Sequence, residues 1–133
     1  MKYTLLILIL FLGLHCRAQN YMMYGHNQNK KLITISSPFT VDDGETYNVT
    51  VTANEDVEED TDVTVTVFNG NNLGTSYDAT ITITNGTNSA SFQVGLSVVG
   101  LSYTVTHTIK SVDSTNDFTI GTPKVANTIV QTI

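Results

Sequence analysis

The chain has 133 residues, 41% of them hydrophobic and 14% charged, and a formal net charge of −6 at pH 7. That length suits one domain with one core, and the acid excess repels duplex nucleic acid and anionic membrane surfaces. Cys16 is the sole cysteine, so an internal disulfide is excluded and an exported form relies on packing alone.

The first twenty residues read "MKYTLLILILFLGLHCRAQN", with Lys2 followed by an apolar run from Leu5 to Leu14. The run is too short to cross a hydrocarbon core of roughly 30 Å as a helix, but it matches the core of a secretory signal peptide. Cys16 and Ala18 are the small residues of an A-x-A-like site, which places cleavage after Ala18. Lipidation of Cys16 is the second exit. It wants small residues before the cysteine, where Leu14 and His15 stand. Residues 1–18 are therefore expected to be removed, leaving Gln19–Ile133, in which four lysines face twelve acids, a formal net charge of −8. No later apolar run is long enough to span a membrane as a helix.

Residues 19–31, "QNYMMYGHNQNKK", are polar and lack a clean period. They read as a flexible leader, or as an extended arm that adds as a strand to a neighbouring subunit. From residue 32 to 133 the chain reads as all-β, because no segment holds a 3.6-residue apolar period over helical length. "KLITIS" (31–36) is the first expected strand. "TYNVTVTA" sets Tyr47, Val49, Val51 and Ala53 on one face. "DVTVTVF" does so with Val63, Val65 and Val67, and "DATITIT" with Ala79, Ile81 and Ile83. "ASFQVGL" aligns Ala90, Phe92, Val94 and Leu96, and "SYTVTHTIK" aligns Tyr103, Val105, His107 and Ile109. "DFTIG" (117–121) and a segment within 125–133 complete the set.

Asn85-Gly86 lies between two alternating runs. Both residues tolerate positive φ, so a tight hairpin joining those runs is expected there. Seven or eight strands, each with one apolar face, must bury those faces against one another. The expected fold class is all-β, an immunoglobulin-like sandwich of two antiparallel sheets.

Between the second and third runs lies "ANEDVEEDTD". Six of the twelve acids fall in positions 55–62: Glu55, Asp56, Glu58, Glu59, Asp60 and Asp62. Mutual repulsion there would be relieved by a bound cation, and calcium takes six to eight oxygens at about 2.4 Å. The spacing is not that of an EF-hand, since no Gly falls within 55–62. Asp60 and Asp62 share a face at the start of a strand, with Glu58 able to join them. These three are the candidate metal ligands, and Ca2+ is the candidate cofactor. Further oxygens could come from Asp42 and Asp43 or from Asp113 and Asp117. The alternative is a solvated loop that keeps the protein soluble and discourages edge pairing.

The segment 62–96, "DVTVTVFNGNNLGTSYDATITITNGTNSASFQVGL", resembles the Calx-beta and related immunoglobulin-like repeats of bacterial surface proteins. The resemblance rests on Gly74, Thr75 and Tyr77, then Ile81 and Ile83, then Gly86, then Ser89, Ala90, Phe92 and Val94. It implies a β-sandwich with a role in adhesion or matrix scaffolding and, in some members, calcium at loops on one end. Those calcium-binding members carry clustered acids after the last matched strand. Here that stretch is "SVVGLSYTVTHTIK", without an acid, so the family's ligand set does not transfer.

Enzymatic motifs are absent from the sequence: there is no G-x-S-x-G, no metal-binding His pair and no Gly-rich phosphate loop. His107 shares a face with Val105 and Ile109, which marks it as a hydrogen-bonded core residue. Threonine rows such as "NVTVT" and "ATITIT" occur on ice-binding surfaces, and equally on the solvent face of any β-rich protein. Their irregular spacing excludes a solenoid repeat. Tyr21, Tyr24, Tyr47, Tyr77 and Tyr103 could stack on sugar rings, although Tyr47 and Tyr103 point to the apolar side. The functional expectation is a secreted, non-catalytic module for cell-surface adhesion or matrix structure. Its partners would be other surface proteins, polysaccharide or further copies of itself. The alternative is a filament subunit that exchanges a terminal strand.

Overall fold

The computed structural model describes residues 30–71, 73–113 and 117–133. The expected signal segment 1–18 and residues 19–29 of the leader lie outside the described residues. Nine strands follow in order: β1 Leu32–Ser36, β2 Thr40–Asp42, β3 Thr46–Ala53, β4 Thr61–Asn69, β5 Ser76–Ile83, β6 Ser89–Gly95, β7 Tyr103–Val112, β8 Thr119–Ile120 and β9 Val125–Gln131. They form one sheet in the order β6-β3-β1-β8 and another in the order β2-β9-β7-β4-β5.

The architecture is an all-β, immunoglobulin-like sandwich. β3 and β6 pair in one sheet, and β4, β7 and β9 form the centre of the other. Each sheet also carries one parallel pairing, β1 with β8 and β2 with β9. The three-residue β2 is the strand that alternation could not reveal, because a segment so short offers no period to read.

The core is the inward parity of the long strands. Val49, Val51 and Ala53 from β3 meet Val63, Val65 and Val67 from β4, with Val105 and Ile109 from β7 and Ile33 and Ile35 from β1. Parity survives an irregularity in β7. The β4–β7 register shifts between Thr64 and Val65, so Thr64 pairs with Ser111 while Val65 pairs with Ile109. Lys110 is the extra residue of this bulge. Ser111 is thereby kept outward, and Val112 meets Val63.

The hairpin expected at Asn85-Gly86 is not formed. β5 pairs with β4 in one sheet and β6 with β3 in the other, so residues 84–88 cross between sheets. A two-residue type I′ hairpin needs positive φ at both central positions. Here Gly86 alone has it, at 78°. The bonds that would have continued a ladder go instead to Val57: Gly86 N–H donates to Val57 O and Val57 N–H to Thr87 O, both at 2.8 Å.

Val57 is thus the hidden apolar member of the acidic run, 1% exposed and packed in the core. It closes the end of the sandwich where β3 crosses to β4 and β5 crosses to β6. Truncating Val57→Ala removes about two buried carbon groups and leaves a void, an expected loss of about 2 kcal/mol. Truncation of exposed Glu58→Ala should stay within about 0.5 kcal/mol of the parent. Equilibrium urea unfolding checks both. Equal, small effects at the two positions would contradict the role given to Val57.

Candidate functional site

Strand direction gives the sandwich two unlike poles. β1, β6 and β8 begin, and β3, β5 and β7 end, at the pole where β4 starts at Thr61. The acidic run lies there. At the opposite pole β4 ends, β7 begins and β9 ends, as does the parallel β2.

At the acidic pole, the candidate ligands have local partners. Asp60 Oδ1 accepts the backbone N–H of Asn85 at 2.8 Å, bracing the crossover beside Val57. Asp62 Oδ1 accepts the Thr82 hydroxyl at 2.6 Å across the β4–β5 pair. Glu58 is exposed. Glu55 meets Lys31 at 3.2 Å, and the same ammonium lies 5.5 Å from the Phe118 ring centroid. Among the described residues, no group of three or more His, Cys, Asp or Glu side chains is placed to hold a metal ion. Asp113 is a neighbour of this pole, since its N–H donates to Asp62 O at 2.8 Å. Asp42 and Asp43 lie at the other pole, where β2 ends, and supply nothing here.

A polar ladder covers the outer face of the β4–β5 pair. Thr82 bonds Asp62, Thr64 bonds Thr80 at 3.2 Å, and Thr66 donates to Asp78 Oδ1 at 2.7 Å. The bulged Lys110 reaches across β4 to the other oxygen of Asp78. The ammonium and the Thr66 hydroxyl together hold the Asp78 carboxyl below its ordinary value. The threonine rows therefore stabilise neighbouring strands by cross-strand bonding. Tyr77 is half exposed at the start of this edge, whereas Tyr47 and Tyr103 are buried and cannot stack on a ligand. Tyr21 and Tyr24 lie outside the described residues.

His107 is fully buried, as its parity indicates, and its partner is Tyr47 from the opposite sheet. The two polar atoms stand 2.9 Å apart, with ring centroids at 5.6 Å in an edge-to-face arrangement. Nδ1 lies 2.9 Å from Ala126 O, a carbonyl that can only accept. The proton therefore sits on Nδ1, and Nε2 accepts from the Tyr47 hydroxyl. Burial pushes the imidazole below its ordinary value, opposed in part by the Ala126 carbonyl. Burial likewise raises the Tyr47 phenol, against a smaller opposing effect from Thr128. A neutral pair with both protons placed is a structural tie. Its chemistry is shielded from any substrate.

No family model matches the chain. No curated protein matches it either. Among solved structures it is similar to the CARDB domain of a Pyrococcus furiosus protein crystallised in complex with di-metal ions. That likeness has a TM-score of 0.49 at 15% identity, covering 79% of this chain and 90% of that one. A second likeness is to the alkylpurine DNA glycosylase AlkC of Pseudomonas fluorescens bound to DNA containing an abasic site analog. It has a TM-score of 0.48 at 10% identity, covering 84% of this chain and 33% of that one.

The depressed imidazole sets a pH dependence. The unfolded chain takes up the proton near pH 6.5 while the folded one resists it, so stability falls as pH drops below about 6.5. In His107→Gln that loss should disappear between about pH 6.5 and 5. Tyr47→Phe should cost about 1–2 kcal/mol at neutral pH, because Nε2 is left buried and unpaired. Urea unfolding across that pH range checks both. An unchanged pH profile in His107→Gln would contradict the assignment.

Proposed function

We propose that the chain is a secreted, non-catalytic β-sandwich module that serves adhesion or matrix structure outside the cell by resisting tension. One observation carries this reading. The chain runs into the sandwich at the acidic pole, where β1 starts beside the end of β3, and leaves β9 at the opposite pole. Force applied at the two poles pulls β1 and its continuation β2 one way and β9 the other. β2 and β9 are parallel neighbours, so their hydrogen bonds are loaded together in shear. Among them are Ile129 N–H to Phe39 O at 2.9 Å and Asp43 N–H to Gln131 O at 2.8 Å.

The apolar run from Leu5 to Leu14 supports export. Among the described residues no helix is long and apolar enough to cross a membrane. Surface proteins, polysaccharide and further copies of the chain remain the proposed partners. The polar ladder of Thr64, Thr66, Thr80 and Asp78 offers them a hydrogen-bonding face.

A weak calcium site at Glu58, Asp60 and Asp62 is a separable part of the proposal. Asp60 and Asp62 each retain a second oxygen beyond the bonds described, and Glu58 is exposed. The second reading, a filament subunit, draws support from β6. This seven-residue edge strand, SASFQVG, carries no charge and no proline, the usual guards of an edge. The occupant would be the 19–31 arm of a neighbour, since β9 is already seated between β2 and β7.

Three measurements follow. Single-molecule pulling between the poles should give one abrupt rupture, and Ile129→Pro, which lacks the donor to Phe39 O, should rupture at lower force. Equal forces would sink the tension reading. Thermal melting with millimolar calcium and with chelator should show a higher melting temperature with calcium. No shift rejects the cation site. A chain starting at Lys31 should fold but lose any polymers that the longer chain forms. Polymers that persist reject arm exchange.

A further inference from the structure

The strands of the β6-β3-β1-β8 sheet contain no Asp, Glu, Lys, Arg or His. The strands of the other sheet carry Asp42, Asp62, Asp78, His107 and Lys110. In a chain with twelve acids, one sheet therefore presents an outer face without charge. By parity that face shows Ser89, Ser91 and Gln93 of β6 beside Asn48, Thr50 and Thr52 of β3.

β6 is an edge of this sheet, and the bonds at its two ends fix where its free backbone groups point. Ala53 N–H donates to Asn88 O at 2.7 Å, and Leu96 N–H donates to Glu45 O at 3.1 Å. Asn88 and Leu96 thus turn their backbone groups to β3. An antiparallel ladder alternates bonded and non-bonded pairs, and the β3–β6 register runs unbroken from Thr46↔Gly95 to Thr52↔Ser89. Ala90, Phe92 and Val94 therefore bond to β3, while Ser89, Ser91, Gln93 and Gly95 turn N–H and C=O away from it. Among the described residues no backbone group meets them. The β2 and β8 edges are only three and two residues long. β5 is a long edge, but it carries Asp78. Shortness and charge both discourage pairing, and β6 has neither.

The charge of the chain selects the occupant and its direction. A basic partner gains nothing from an uncharged strand. A second copy brings the same acid excess, and β6 is a strand on which no like charges meet. Parallel pairing of two β6 strands would set the two acidic runs side by side, because each run lies at the pole where β6 begins. Antiparallel pairing places them at opposite ends of a seven-residue strand. That separation is about 20 Å, beyond a Debye length of about 8 Å at physiological salt. A two-fold axis at Phe92 uses every outward group: Ser89 faces Gly95 of the partner subunit, and Ser91 faces the partner's Gln93. Phe92, partly buried against the core, then faces the partner's Phe92.

We propose that two copies of the chain join through β6, antiparallel about Phe92, so that the four-stranded sheet of one copy continues into that of the other. This pairing rests on neither reading above, and it competes with arm exchange for the same edge.

The test is amide hydrogen exchange on the 15N-labelled chain from micromolar to millimolar concentration, with sedimentation equilibrium over the same range. Dimers should form as concentration rises, and exchange should slow most at Ser89, Ser91, Gln93 and Gly95. Ala90, Phe92 and Val94, already bonded to β3, should be protected at both limits. Gln93→Pro removes a donor that points away from β3 and spares the ladder, so dimerisation should weaken about tenfold or more. Ser91→Lys adds the charge that this edge lacks and should act in the same direction. Met22→Pro with Met23→Pro bars the arm from strand pairing and should leave the dimer unchanged. The exchange pattern of the parent chain decides the matter without any variant. A chain that stays monomeric at millimolar concentration, association without protection of the outward amides, or undiminished dimers in both β6 variants overturns the proposal. Loss of the dimer in the arm variant also overturns it and gives the edge to arm exchange.

Discussion

Tyr47 and His107 face each other from opposite sheets, their polar atoms 2.9 Å apart among aliphatic side chains. Apolar faces of Val and Ile can pack in several alignments at similar energy. A buried hydroxyl and a buried imidazole cannot, because a slip of the sheets separates the Tyr47 hydroxyl from Nε2, the one bond of the pair that crosses between sheets. The Ala126 carbonyl fixes the imidazole proton on Nδ1, so only one arrangement satisfies both rings. Once β3 and β7 are set against each other, β1 and β6 follow β3, and β4 and β9 follow β7.

The two poles then follow from connectivity. β3 and β5 both end at the pole where β4 starts, and both must cross to the other sheet. The two crossovers lie side by side and share Val57 as their apolar plug. Acids around Val57 are tolerated because they point to solvent or cap local donors, as Asp60 does for Asn85. The far pole is built differently. There one acid, Asp43, is drawn inward and gathers the backbone of the β6–β7 loop. Acid-rich sequence and buried acid are thus separated by the length of the sandwich.

Period-two alternation made the fold class and the core legible in the sequence. Tyr47, Val51, Val65, Ile83, Val94 and Ile109 are buried as their parity requires. Parity also placed His107 inside, but not its partner, which lies sixty positions away in the chain. Pairing was harder to read. Asn85-Gly86 carries hairpin chemistry, yet the backbone takes positive φ only at Gly86, and Val57 supplies the bonds that a hairpin would have made. The competitor was a single valine inside an acidic run, and only the folded loop gives it meaning. Asp43 was equally hidden. "VDDGE" shows two adjacent acids at a turn, and which of them turns inward depends on a loop more than fifty residues downstream.

The alignment of the two sheets turns on a neutral His107 whose Nδ1 proton points to Ala126 and whose Nε2 accepts from Tyr47. The most direct measurement is a long-range 1H–15N NMR spectrum of the imidazole, recorded from pH 7.5 down to about 5. The Nδ1–H tautomer is expected throughout, with ring nitrogen shifts that stay flat well below pH 6.5 while the protein remains folded. An imidazole that titrates near 6.5, or one that carries its proton on Nε2, would contradict it.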